Sequence, residues 1–143
     1  MILYLDSSSL IKLYLEEEGS ATVTALVLEA DAVYASRVAY AEARSGLARA
    51  RRMARLDDAS YQTAIEEFEG RWTAVNVVDV SDSLVRLAGD LAERHGLRGF
   101  DAIHLASALV VQREGGQPVS FSARDDRLME AAADEGLAPL GNA

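Results

Sequence analysis

Short apolar runs of strand length alternate along this chain with longer segments whose apolar residues recur at helical spacing. The first run, Ile2–Leu5, stops at Asp6 and a serine triplet. Ser7 or Ser8 is placed to cap a helix carrying Leu10, Ile11, Leu13 and Tyr14, which stops near Gly19. Ser20 opens a second helix with Val23, Leu26, Val27 and Ala30 on one face. Residues 33–36 read as a second strand, 38–53 as a long helix, and 57–72 as another helix capped by Asp57 or Asp58. Residues 75–80 form a third predicted strand, and a helix begun by Ser81 or Asp82 is closed by Gly96. Asp101 is expected to open a helix with Ile103, Leu105, Ala106, Leu109 and Val110 that ends at Gly115 and Gly116. Residues 119–121 give a fourth strand, 125–135 a helix closed by Gly136, and 137–140 a weak fifth strand.

Short apolar strands alternating with longer amphipathic helices predict the α/β class: helices on both faces of a central, mostly parallel five-stranded sheet, in three layers. No repeat, low-complexity stretch or linker interrupts the pattern. A length of 143 residues therefore predicts one domain spanning 1–143. Ligand sites in such sheets lie beyond the carboxyl ends of the strands. Asp6 falls just past the first strand and Asp125 shortly past the fourth, so the fold itself points to particular acids.

Composition narrows the chemistry. The absence of cysteine excludes a disulfide scaffold, a thiol nucleophile and a thiolate zinc site. His95 and His104 are the two histidines, too few for a histidine-rich metal centre, and Lys12 is the lone lysine. No apolar run approaches the ~18 residues that cross a bilayer, and Asp6 cuts the opening apolar run too early for a signal peptide. A cytoplasmic protein without membrane attachment is the expectation. The net charge of −9 argues against binding of polyanions by the whole surface. Locally the balance reverses: Arg44, Arg49, Arg51, Arg52 and Arg55 lie in a stretch with no acid. Arginine suits bidentate phosphate contacts, although a solvated face or a dock for an acidic partner would read the same way.

Taken singly, the acids have ordinary explanations. Glu16, Glu17 and Glu18 read as a solvated run, and Asp57, Asp58 and Asp82 as caps. Asp6, Asp101 and Asp125 could each cap a helix, and Glu42 sits in a helix interior that tolerates glutamate. The small residues Ala41, Ala43 and Gly46 around Glu42 are expected to leave space at its carboxylate. As a set, however, the acids form a pattern. An aspartate ending the first strand before Ser7 and Ser8 is followed by a glutamate early in the third helix. Then come Gly99-Phe100-Asp101-Ala102-Ile103-His104-Leu105-Ala106-Ser107-Ala108 and Ser122-Ala123-Arg124-Asp125-Asp126-Arg127-Leu128. Over nearly the whole chain this resembles PIN-domain ribonucleases, and within them the VapC toxins of bacterial and archaeal toxin–antitoxin pairs.

The resemblance implies a PIN-like three-layer domain and a metal-dependent endoribonuclease leaving 5′-phosphate and 3′-hydroxyl ends. Carried over by residue, it makes Asp6, Glu42, Asp101 and Asp125 the catalytic and metal-binding acids, with Ser7 supporting them. Many family members carry Thr or Ser one or two positions before the fourth acid, where this chain has Ala123 and Arg124 after Ser122. Of Asp125 and Asp126, Asp125 fits the family's Asp-x-Arg-Leu pattern. His104 is expected to be a satisfied buried histidine. Mg²⁺, with Mn²⁺ as its substitute, suits oxygen ligands without thiolate. Arg44, Arg49, Arg51 and Arg52 are the candidate RNA contacts. The resemblance also implies an RNA substrate, a cognate VapB-like antitoxin and a homodimer.

Other readings fit less well. A phosphotransfer receiver or a dehalogenase-type phosphatase would need a lysine late in the chain, and none follows Lys12. Triphosphate and dinucleotide sites lack their glycine-rich loops. The alternative that survives is a non-catalytic PIN-like module for RNA binding or assembly.

Overall fold

The computed structural model describes residues 1–140. Strands β1 (Ile2–Leu5), β2 (Ala32–Ser36), β3 (Asn76–Val78) and β4 (Val119–Ser122) form one sheet in the order β3-β2-β1-β4, every neighbouring pair parallel. The helices are α1 (Ser7–Leu10), continued by a 3-10 turn over Ile11–Leu13, then α2 (Ser20–Glu29), α3 (Val38–Arg52) and α4 (Asp58–Trp72). They are followed by α5 (Asp82–His95), α6 (Gly99–Gly115) and α7 (Asp126–Asp134).

Alternation along β1 divides the interior into two cores. Leu3 and Leu5 turn to one face and pack with Leu10, Val23, Leu47 and Phe68 from the α1–α4 layer. Tyr4 turns to the other and packs with Leu91, Leu105, Leu109, Phe121 and Leu128, from β4 and the α5–α7 layer. Burial on both faces is why these strands read as continuous apolar runs instead of alternating ones. From β1 the chain runs outward through β2 to β3, then returns to place β4 on the opposite side of β1. The connections thus diverge at the carboxyl ends of β1 and β4, the position where such sheets open a crevice.

Several sequence expectations change. The sheet has four strands, not five: residues 137–140 contribute a single bridge, Ser120 to Ala138, with Ala138 N–H donating to Val119 O at 2.8 Å. Pro139 has no N–H to extend that ladder. The first helix is α1 plus a 3-10 turn, and its cap is Asp6, not Ser7 or Ser8. Asp101 is not a cap either, because α6 begins at Gly99 and Arg98 holds the capping position without a side-chain bond. Asp57 and Ser81 do cap α4 and α5, through the N–H groups of Ser60 and Leu84.

Two of the small residues of α3 serve packing, while Ala41 is exposed. Ala43 is fully buried in the core, and Gly46 lets the Ile11 Cδ1 methyl lie against the helix backbone. Any Cβ at Gly46 would overlap that methyl. Gly46→Val is therefore expected to destabilise the protein by about 1–3 kcal/mol through overpacking, despite the slightly better helix propensity of valine. A lowered urea midpoint would show this, and an unchanged midpoint would mean that the Ile11 side chain moves aside at little cost.

Candidate active site

Asp6 leaves β1 directly into the crevice, with its N–H donating to Ser122 O at 3.0 Å at the end of β4. It is almost completely buried, at 5% exposure. Its Oδ1 accepts from Ser9 N–H at 2.9 Å and from the Ser8 hydroxyl at 2.7 Å, so capping and a second bond share one oxygen. Both bonds fall on Oδ1, and Oδ2 has no hydrogen-bond partner among the described residues. Burial pushes the Asp6 carboxyl above its ordinary range and the negative charge of Asp101 adds to this, while Ser8, Ser9 and His104 pull the other way.

Glu42 approaches from the opposite layer, in the second turn of α3, and is half-buried. Its Oε1 accepts from His104 Nε2 at 2.8 Å and from the Ser7 hydroxyl. Burial alone would raise its proton affinity, but the bonds from His104 and Ser7 outweigh that and hold it below the usual carboxylate range. His104 is buried beneath Glu42 and also meets the Tyr4 hydroxyl, through Nδ1 at 2.9 Å. An ionised Glu42 can only accept, so the proton of Nε2 faces it. The Tyr4 hydroxyl is pushed far above its ordinary range by burial and stays protonated. His104 is thus the satisfied buried histidine that the sequence predicts, and it also orients Glu42.

Asp101 lies in the first turn of α6 and Asp125 caps α7, where its Oδ1 accepts from Leu128 N–H at 3.0 Å. Together with Arg98, Asp126 and Arg127 they line one cleft. Burial, followed by the negative charge of Asp125, raises the Asp101 carboxyl, while His104 and Arg98 partly offset the effect. The four acids act on one another electrostatically in a chain, from Asp6 to Asp101, Glu42 to Asp101, and Asp101 to Asp125. Among the described residues, no three such side chains stand close enough to ligate one ion as they are. The fit to a metal therefore rests on the donor set: carboxylate oxygens that repel one another, two of them with raised proton affinity. Such a set favours a hard divalent cation.

Sequence reasoning missed how the serine triplet divides its contacts. Ser7 bonds Glu42; Ser8 donates to Asp6 and accepts from Arg124 N–H at 3.0 Å; Ser9 pairs its hydroxyl with Ser122 at 2.8 Å. Three consecutive residues thereby tie the first acid to the second and to the loop leading to the fourth. The arginine run is partly committed elsewhere. Arg44 pairs with Glu69 at 2.7 Å, Arg51 with Asp58 at 3.5 Å while lying over the Tyr61 ring, and Arg55 with Glu17 at 3.7 Å. Arg49 and Arg52 are exposed and have no carboxylate partner among the described residues.

A family model described as the PIN domain matches residues 3–133, and the chain belongs to that family. Within it the chain is similar to ribonuclease VapC45 of Mycobacterium tuberculosis (strain CDC 1551 / Oshkosh) and ribonuclease VapC49 of Mycobacterium tuberculosis (strain ATCC 25618 / H37Rv). Each is 40% identical over 114 residues, covering 80% of this chain and 79% of the relative, which places the chain in the VapC branch. Two solved structures share the fold. One is FitAcB from Neisseria gonorrhoeae, with a TM-score of 0.68 and 19% identity over 99% of this chain and 97% of that one. The other is VapBC2 from Rickettsia felis bound to a DNA fragment from their promoter, with a TM-score of 0.60 and 13% identity over 91% and 92%.

The buried charge of Asp6 has a measurable consequence. Its folded-state pKa lies above the unfolded value, so its ionisation opposes folding at neutral pH, and that penalty fades as pH falls through the raised value toward the ordinary one. Asparagine keeps the helix cap and removes the charge. With chelator present, Asp6→Asn is expected to be more stable than wild type at about pH 7, with the difference shrinking near pH 4. Urea unfolding at the two pH values checks this; an advantage that grows toward low pH would contradict it.

Proposed function

We propose that this chain is a metal-dependent endoribonuclease that hydrolyses RNA phosphodiester bonds, acting as the single-domain toxin of a type II toxin–antitoxin pair in the cytoplasm. The observation that supports this reading is the electrostatic chain that links Asp6, Glu42 and Asp125 through Asp101, in a chain 40% identical to two ribonucleases. The four carboxylates would hold the cation. Mg²⁺ is the natural ion, with Mn²⁺ as substitute, because His104 is taken up by Tyr4 and Glu42 and leaves an oxygen-only set. When bound, a divalent ion supplies activation of water and stabilisation of charge at phosphorus. The chain's own residues do the positioning. Ser7 and His104 fix Glu42, Ser8 and Ser9 fix Asp6, and the capping bond to Leu128 fixes Asp125.

Of the predicted RNA contacts, Arg49 and Arg52 on α3 have no carboxylate partner among the described residues, and Arg44 and Arg51 support them from their ion pairs with α4. A cognate VapB-like antitoxin is the expected protein partner, since an RNA-cutting enzyme endangers its own cell. Self-association as a homodimer is supported by Phe100 and Val85, which expose apolar surface beside Ala88 and Ile103 on the α5–α6 face.

Cleavage of RNA by the purified chain tests the reading. Activity should require added Mg²⁺ or Mn²⁺ and vanish with EDTA. Asp6→Asn and Asp101→Asn should each reduce the rate on the order of 10²-fold or more while the circular dichroism spectrum is retained. Wild-type cleavage by a folded Asp6→Asn protein would overturn the assignment. A folded wild type without cleavage under any divalent ion would favour a non-catalytic PIN-like module. Co-purification with the product of the neighbouring small reading frame should inhibit cleavage, and a neighbour that neither binds nor inhibits would remove the toxin assignment alone.

A further inference from the structure

The charges around the acidic cleft do not neutralise one another. Arg98 and Arg127 line it together with Asp101, Asp125 and Asp126. Both arginines are exposed, and neither forms an ion pair with a carboxylate among the described residues. Elsewhere the arginines beside acids do pair: Arg37 with Asp79, Arg44 with Glu69, Arg86 with Asp82 and Arg94 with Glu135. Arg127 is anchored without being neutralised. Its Nη1 donates to Gly96 O at 3.3 Å, the carbonyl at the C-terminal cap of α5, where a cation is favoured. Arg98 stands at the capping position of α6 with no side-chain bond, one turn before Asp101 and near enough for its charge to act on that carboxyl.

We propose that Arg98 and Arg127 form a phosphate clamp that holds a backbone phosphate of the RNA strand adjacent to the one at the acids. Two guanidinium groups whose donors are not spent on carboxylates suit a phosphate, which accepts bidentate bonds. The scissile phosphate belongs over Asp6 and Asp101. Arg98 caps α6 and Arg127 lies in the first turn of α7, beside the third and fourth acids on the same elements, so the pair is placed to hold the next phosphate along the strand. A chain of net charge −9 repels a polyanion at long range, and a local positive pair at the mouth fixes where the strand enters. The inference rests on the ribonuclease reading and adds to it the element that sets strand register.

The test measures single-stranded RNA binding by fluorescence anisotropy over a range of salt. An Asp6→Asn background is used so that binding is read without cleavage. Adding Arg98→Gln and Arg127→Gln should raise Kd about tenfold or more and reduce the slope of log K against log salt by about one. The control pair Arg86→Gln and Arg113→Gln removes the same charge from sites remote from the cleft and should leave Kd and slope unchanged. Unchanged binding in the Arg98/Arg127 variant, or equal loss in the control pair, would overturn the clamp. Cleavage by the active wild type, run in parallel, reads the ribonuclease assignment separately: cleavage with no clamp effect removes the clamp alone, and a wild type that neither binds nor cleaves RNA removes both.

Discussion

A carboxylate placed where a buried strand ends is the constraint around which this molecule is organised. Asp6 follows the fully buried Leu5 and is itself nearly inaccessible, so its charge must be compensated or it would oppose folding. The chain meets that demand locally with the three serines that follow. Ser8 and Ser9 bond the Asp6 carboxylate, while Ser7 reaches past it to Glu42. The compensation is partial, since the Asp6 carboxyl remains pushed upward. A residual cost at a site of this kind is what a bound cation would relieve.

The second and third acids come to the site from opposite layers because the sheet is covered on both faces and open at its edge. Glu42 rides on α3 from the layer packed on Leu3 and Leu5, and Asp101 on α6 from the layer packed on Tyr4. Tyr4 links the core to the site, stacking on Phe121 at 5.4 Å in the core while its hydroxyl meets His104. His104 passes that constraint to Glu42. The buried histidine thus makes an acid from one layer depend on the packing of the other, and the acidic edge inherits the rigidity of two cores.

Much of this was readable in the sequence, for identifiable reasons. Asp6 was marked by its place after an apolar run, because burial on both faces leaves a run with an abrupt polar end. Glu42, Asp101 and Asp125 were individually compatible with caps and helix surface, and only their joint pattern singled them out. The link from Tyr4 to His104 was not readable, since it joins residues a hundred positions apart and depends on which face of β1 each side chain takes. Nor was the fate of the arginine run: composition shows a basic stretch, but Glu69, Asp58 and Glu17 come to it from other elements. The weak fifth strand failed at Pro139, and the opening of α6 was misplaced because Arg98 caps it with backbone geometry alone.

The thermal unfolding midpoint of the purified chain during titration with Mg²⁺ or Mn²⁺ at neutral pH reads directly whether these acids hold a cation. A cation that relieves repulsion among Asp6, Glu42, Asp101 and Asp125 binds the folded state alone and raises its stability by mass action. The expected result is a saturable rise in the wild-type midpoint that is largely lost in Asp101→Asn, which keeps the fold but removes one of the interacting charges. A flat wild-type titration with both ions, or the same rise in Asp101→Asn, would contradict a metal-binding role for these acids.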